Sequence, residues 1–156
     1  MTSATLNLWP AVLLFSVTYL ALSAVVAAVL TFFDLNSNTG LSIGVLMAAT
    51  GAAARKFVAD HRRALHQGEQ LRFALLAIVA TMLLTVLQVA VVILIFFKLD
   101  ELPQLAAEAQ AWAADNTTLL AVIAAFVVLL FFAALYFGAG WFSRWFAKRL
   151  AATGSI

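Results

Sequence analysis

Few side chains in this sequence could carry out chemistry. His61 and His66 are its two imidazoles, and they stand five residues apart. A helix brings residues four apart onto one face, so this spacing does not aim two rings at one metal ion. Only Asp60 and Glu69 lie near enough to add ligands. The chain has no cysteine, which removes disulfides, thiolate metal sites and a cysteine nucleophile. A serine–histidine hydrolase needs an imidazole beside a serine within the fold, whereas both histidines fall in a charged connection, and no phosphate-cradling glycine loop is present. The reading is of a protein that is not an enzyme and holds no cofactor and no metal.

Three other patterns can recognise something without reacting with it. Ser16, Tyr19 and Ser23 recur at i, i+3 and i+7, and Thr81, Thr85 and Gln88 at i, i+4 and i+7. Each set puts polar groups on one face of a helix. Counted along the helices, Ser23 and Gln88 fall at similar depth, so the two faces are expected to meet as a polar seam, where an interhelical hydrogen bond contributes on the order of 0.6 kcal/mol. Gly40, Gly44, Ala48 and Ala52 recur every four residues, a small-residue stripe that lets another backbone approach closely. The expected neighbour is a helix of the same chain, with a dimer face as the alternative. Arg55, Lys56, Arg62 and Arg63 form a basic cluster that could hold anionic lipid headgroups at about 1 kcal/mol per cation, or act only as topogenic charge.

The elements that must position these residues are four long apolar runs, at 10–33, 41–58, 73–97 and 119–142. Crossing the hydrocarbon core takes about 20 apolar residues at ~1.5 Å of rise each, so every run reads as long enough to cross a bilayer. Composition agrees: 65% of residues are hydrophobic and 10% charged, against about a quarter charged in a soluble domain. The predicted fold is an all-α bundle of four transmembrane helices, one integral membrane domain over 1–156, with a short amphipathic helix at 103–113 lying along the outer surface. The second run is the weakest, since Gly40, Ser42, Gly44, Thr50 and Gly51 stand where Leu and Phe dominate elsewhere. It needs neighbours. The first run has no Lys or Arg ahead of it and continues apolar past the small residues Ala21 and Ser23, so it reads as a retained span, not a signal peptide.

Charge orients the bundle. Of the nine Lys and Arg residues, Arg55, Lys56, Arg62, Arg63 and Arg72 lie between the second and third runs, Arg144, Lys148 and Arg149 follow the fourth, and Lys98 alone lies elsewhere. The positive-inside rule then predicts that both termini and the 55–72 connection are cytoplasmic. A pI near 9.4 would suggest nucleic acid in a soluble domain, but these cations flank spans, so the expected partners are membrane lipids and a membrane protein or a second copy, not nucleic acid. Trp9, Trp112, Trp141 and Trp145 fall at run boundaries, where amphipathic rings anchor at headgroup level. No Asp, Glu, Lys, Arg or His stands inside a run, which argues against proton-coupled transport.

The stretch Leu41-Ser42-Ile43-Gly44-Val45, with Arg55-Lys56-Phe57-Val58-Ala59-Asp60-His61 and then Arg63 and Glu69, resembles a family of uncharacterised small four-pass bacterial inner-membrane proteins. At the turn this chain reads Leu65-His66-Gln67-Gly68-Glu69, where that family is expected to have Pro followed by Ser or Thr before the acid. The resemblance implies a place in the bacterial cytoplasmic membrane and adds no chemistry. Two functions stay open. The first is a helix-packing, partner-binding module, such as an assembly factor or an immunity-type protein. The alternative is an oligomeric transporter or channel subunit for a small neutral solute, with the six polar-seam residues lining its path.

Overall fold

The computed structural model describes residues 7–34, 39–96 and 102–152, and all its regular elements are helices: α1 (Trp9–Phe32), α2 (Thr39–His61), α3 (Gln67–Phe96), α4 (Leu102–Asp115) and α5 (Thr117–Ala152). α1 opens with Pro10 in its first turn, where the missing N–H costs nothing, and the Asn7 side-chain oxygen accepts the Trp9 N–H at 3.0 Å. Asp34, at φ 52°, follows its end. α2 stops at Arg62, whose φ of 55° turns the chain while its N–H closes on the Val58 carbonyl at 2.8 Å. A left-handed residue with a Cβ costs about 1–2 kcal/mol, so other contacts must hold this turn.

Helices α1, α2, α3 and α5 are each long and apolar enough to cross a membrane. Two extend well beyond their apolar runs. α3 begins at Gln67, ahead of the run at 73–97, and α5 continues from 142 to Ala152. The amphipathic segment expected at 103–113 is α4. Its described side chains are exposed apart from a half-buried Ala113, and among the other helices it packs chiefly on α5. Asn116 alone separates α4 from α5. Its N–H bonds to the Trp112 carbonyl at 3.1 Å and its carbonyl accepts the Leu120 N–H at 2.9 Å. Position 97, the expected end of the third run, lies outside the described residues.

Around the bundle the order is α1, α2, α5, α3, because α1 packs on α2 and α3, and α5 packs on the same two helices. The consecutive helices α2 and α3 therefore stand on a diagonal. Met47 and Thr50 lie against Gly138, and Gly51 lies against Phe142, so α2 and α5 run parallel. Gln70 lies against Gly140 while Thr85 shares a cleft with Val127, so α3 and α5 run antiparallel. α1 meets α3 through Phe15 and Phe73, rings edge to face at 6.0 Å.

The core occupies one end of the bundle, the end that carries the basic residues. Phe15, Leu46, Val58, Phe73 and Leu135 are its large buried side chains, filled in by Ala49, Ala53, Ala74, Ala77 and Ala139. Small residues let helices approach where lipid supplies no hydrophobic drive for association. Toward the other end the helices present their apolar side chains outward. Positions 121–130 of α5 are exposed on every side, and Phe32 is 84% exposed. Such a surface is suited to hydrocarbon as its solvent.

The tightest approach is at Gly140, where an added Cβ would sit 2.8 Å from the Gln70 side-chain oxygen and 3.0 Å from its Cδ. Gly140→Val is therefore expected to cost about 1–3 kcal/mol and to lower the thermal unfolding midpoint in detergent. Gly68→Ala, at a position with open space around the new Cβ, should leave the midpoint level or slightly raised. Equal losses for the two variants would contradict the packing of α5 on α3.

Candidate functional site

α2 has two faces rich in small residues, and the structure uses one of them. Leu46, Ala49, Thr50, Ala53 and Phe57 are buried in the bundle. Gly44 and Leu46 are two residues apart, which at 3.6 residues per turn rotates them about 200° from one another. The stripe of Gly40, Gly44, Ala48 and Ala52 thus turns away from the core: the first three are exposed and Ala52 is half-buried. A Cβ added to Gly44 would meet nothing within 4 Å. The expectation that this stripe packs within the chain is corrected accordingly. It stands open beside Leu22 of α1, with Leu41 and Val45 flanking a shallow groove of about 450 Å³.

The polar stripes of α1 and α3 do not form one seam. Tyr19, Ser23 and Gln88 come together, joined by Ser42 of α2, around a cleft of about 220 Å³. Thr81 and Thr85 instead line a separate cleft between α3 and α5 with Met82 and Phe131. The hydroxyls are satisfied inside their own helices: Ser16 donates to the Val12 carbonyl at 2.9 Å, Ser23 to Tyr19 at 2.6 Å, Thr81 to Ala77 at 2.8 Å and Thr85 to Thr81 at 2.9 Å. This back-bonding to the preceding turn competes with any bond across the bundle. No side-chain hydrogen bond joins α1 to α3 among the described residues, and the Gln88 amide, half-buried in the cleft, has no hydrogen-bond partner there.

At the basic end the connection between α2 and α3 is stitched to α5. The Leu65 N–H donates to Ser143 Oγ at 3.3 Å, Ser143 in turn donates to the Gly140 carbonyl at 3.2 Å, and Gln70 Nε2 donates to the Leu65 carbonyl at 2.9 Å. Gln70 and Ser143 are buried. Neither is singled out by sequence. The only trace is that Gln70 stands one turn before Ala74 and two before Ala77 on the face that packs.

The exposed layer is ionic. Arg63 grips Glu69 with both arms, Nη2 to Oε1 at 2.6 Å and Nη1 to Oε2 at 2.8 Å, and the other Glu69 partner is the His66 N–H, which donates to Oε2 at 2.9 Å. Phe57 has the Arg63 guanidinium over its ring, 5.4 Å from the centroid, and the His61 ring stacked on it at 4.3 Å. The apolar stretch of α3 begins only at Phe73, so Glu69 stands in the polar first turn ahead of it. The hydrogen bond from Arg63 is the largest influence holding the Glu69 carboxyl below its ordinary range, opposed by burial and aided by the His66 N–H. The same bond raises Arg63. Of the basic cluster, Lys56 pairs with Asp60 at 2.9 Å and Arg63 with Glu69, which leaves Arg55 and Arg62 exposed without an acid partner among the described residues. No group of three metal-ligating side chains occurs among the described residues.

No protein-family model, curated protein or solved structure matches this chain.

Because the folded carboxyl of Glu69 is held low, the ion pair adds stability above the ordinary carboxylate range and loses it as pH falls through the lowered value. The thermal midpoint should drop between pH 7 and pH 3, and Glu69→Gln should flatten that drop while starting lower at pH 7. A wild-type and variant profile that run parallel would show that the pair does not hold the turn.

Proposed function

We propose that this protein is a non-catalytic module of the bacterial cytoplasmic membrane that acts by packing α2 against a partner membrane protein. The observation that carries this reading is the open small-residue face of α2. This span is the least apolar of the four, with a mean hydropathy of 1.3 against 2.4, 2.8 and 2.9 for the others. Gly40, Gly44 and Ala48 gain little from lipid, whereas a helix laid into their groove recovers dispersion contacts along two backbones. An assembly factor, or an immunity-type protein that neutralises a membrane-directed toxin, would work in this way. Neither needs a reactive group.

The location rests on charge and resemblance. Eight of the nine basic residues, Arg55, Lys56, Arg62, Arg63, Arg72, Arg144, Lys148 and Arg149, gather at one end, which the positive-inside rule assigns to the cytoplasm. The similarity around Arg55-Lys56-Phe57 to small four-pass inner-membrane proteins supports the same placement. Reporter fusions at Asn38 and Gln110 are expected to read as extracytoplasmic.

A specific observation favours the second reading, a transporter or channel subunit for a small neutral solute: the cleft of Tyr19, Ser23, Ser42 and Gln88, whose amide has no partner among the described residues. The two readings separate experimentally. A photo-crosslinker placed at Ala48 in intact membranes should label one membrane protein, and Gly44→Leu should abolish that adduct while the thermal midpoint in detergent stays near wild type. Adducts with lipid alone would contradict the packing role. Solute flux by the pure protein in liposomes, lost in Gln88→Leu, would establish the alternative.

A further inference from the structure

Beside the α2–α5 contact, on the side away from the core, lies a second groove, of about 720 Å³, independent of the small-residue face discussed above. Ile43 and Met47 of α2 form one wall, and Leu130, Phe137 and Trp141 of α5 line the other, with Arg144 at the end. The α5 residues fall on one stripe, and Lys148 continues it one turn beyond Arg144. Phe137 and Trp141 are 70% and 61% exposed. We propose that this groove is a binding site for one anionic phospholipid of the leaflet at the basic end, its acyl chain laid along Leu130 to Phe137 and its phosphate held by Arg144.

Length, order of side chains and charge each point to that occupant. Leu130 and Trp141 are separated by roughly 16 Å of helix at ~1.5 Å per residue, and one leaflet's share of a ~30 Å hydrocarbon core is about 15 Å. Along this distance the groove passes from aliphatic walls to an indole and then to a guanidinium, which is the order hydrocarbon, interface, headgroup. Trp141 marks the depth at which the glycerol backbone would lie. Among the described residues Arg144 has no acid partner: α5 contains no Asp or Glu, and Asp60 and Glu69 are taken by Lys56 and Arg63. Arg149 is occupied differently, its guanidinium 3.9 Å from the centroid of the Trp145 ring. A lipid with a net negative headgroup therefore meets an apolar channel of matching length that ends in an exposed guanidinium.

The test is native mass spectrometry of the full chain in a non-ionic detergent, given equimolar phosphatidylglycerol and phosphatidylcholine with the same acyl chains. One retained lipid is expected, with phosphatidylglycerol favoured about fivefold, the discrimination that one cation near the surface supplies. Arg144→Gln, at an exposed position, should bring the ratio near one. Ala133→Phe, which fills the groove and leaves every charge in place, should remove retention of both lipids. Arg62→Gln, an exposed cation outside the groove, should change nothing. Equal retention of the two lipids by the wild type would overturn the proposal. So would an Arg62→Gln effect as large as that of Arg144→Gln, which would mean diffuse attraction to the basic end, or undiminished retention in Ala133→Phe, which would place the lipid elsewhere.

Discussion

α5 can contact α2 and α3 at the same time because its inner face from 138 to 143 is nearly without bulk. Gly138 admits Met47 and Thr50 from one side, Gly140 admits Gln70 from the other, and Ser143 is small enough to be buried with its hydroxyl on a backbone. In hydrocarbon, helices gain nothing from leaving a polar solvent, so association depends on how closely backbones approach and on whether buried polar atoms find partners. Both conditions are met at this one level of the bundle. The diagonal placement of α2 and α3 follows from it: a helix inserted between them must fit, and the connection 62–66 must then be tied to the helix inserted.

That tie explains a turn that is otherwise costly. Arg62 adopts a left-handed conformation with a full side chain, and the residues after it present a backbone N–H and carbonyl to the interior. Ser143 and Gln70 satisfy those two groups, and an unmade bond in such a place costs about 1–3 kcal/mol. Arg63, Glu69 and Phe57 close the outer side. Because packing and polar satisfaction are concentrated there, the opposite end of the bundle has little to hold it together except lipid, and the outward face of α2 is left without a neighbour in its own chain.

Hydropathy made the four spans legible, since a bilayer asks for long apolar runs. Their ends were less so: α3 and α5 carry helix through polar segments at 67–72 and 143–152, where backbone hydrogen bonding continues although the apolar signal has stopped. Periodicity showed that Gly40, Gly44, Ala48 and Ala52 belong to one side of a helix, but not which way that side points. α2 carries a competing set, Ala49 and Ala53, that shares its side with Leu46 and Phe57, and the larger residues decide. The hydroxyl stripes misled for a related reason. Ser and Thr can satisfy themselves on the preceding turn, whereas Gln88 cannot, and Gln88 is the one of α3's three that reached the cleft with Tyr19 and Ser23. Gln70 and Ser143 were illegible because a single polar residue without a periodic companion looks like any other surface position.

The insertion of α5 beside α2 is open to a direct measurement, because a chain without cysteine accepts a designed pair cleanly. With Met47→Cys and Gly138→Cys introduced together, a short flexible bis-thiol-reactive reagent in membranes should link the two within one chain and shift its mobility as a monomer. Absence of that crosslink, or its appearance only between chains, would contradict the parallel contact of α2 and α5 on which the whole arrangement rests.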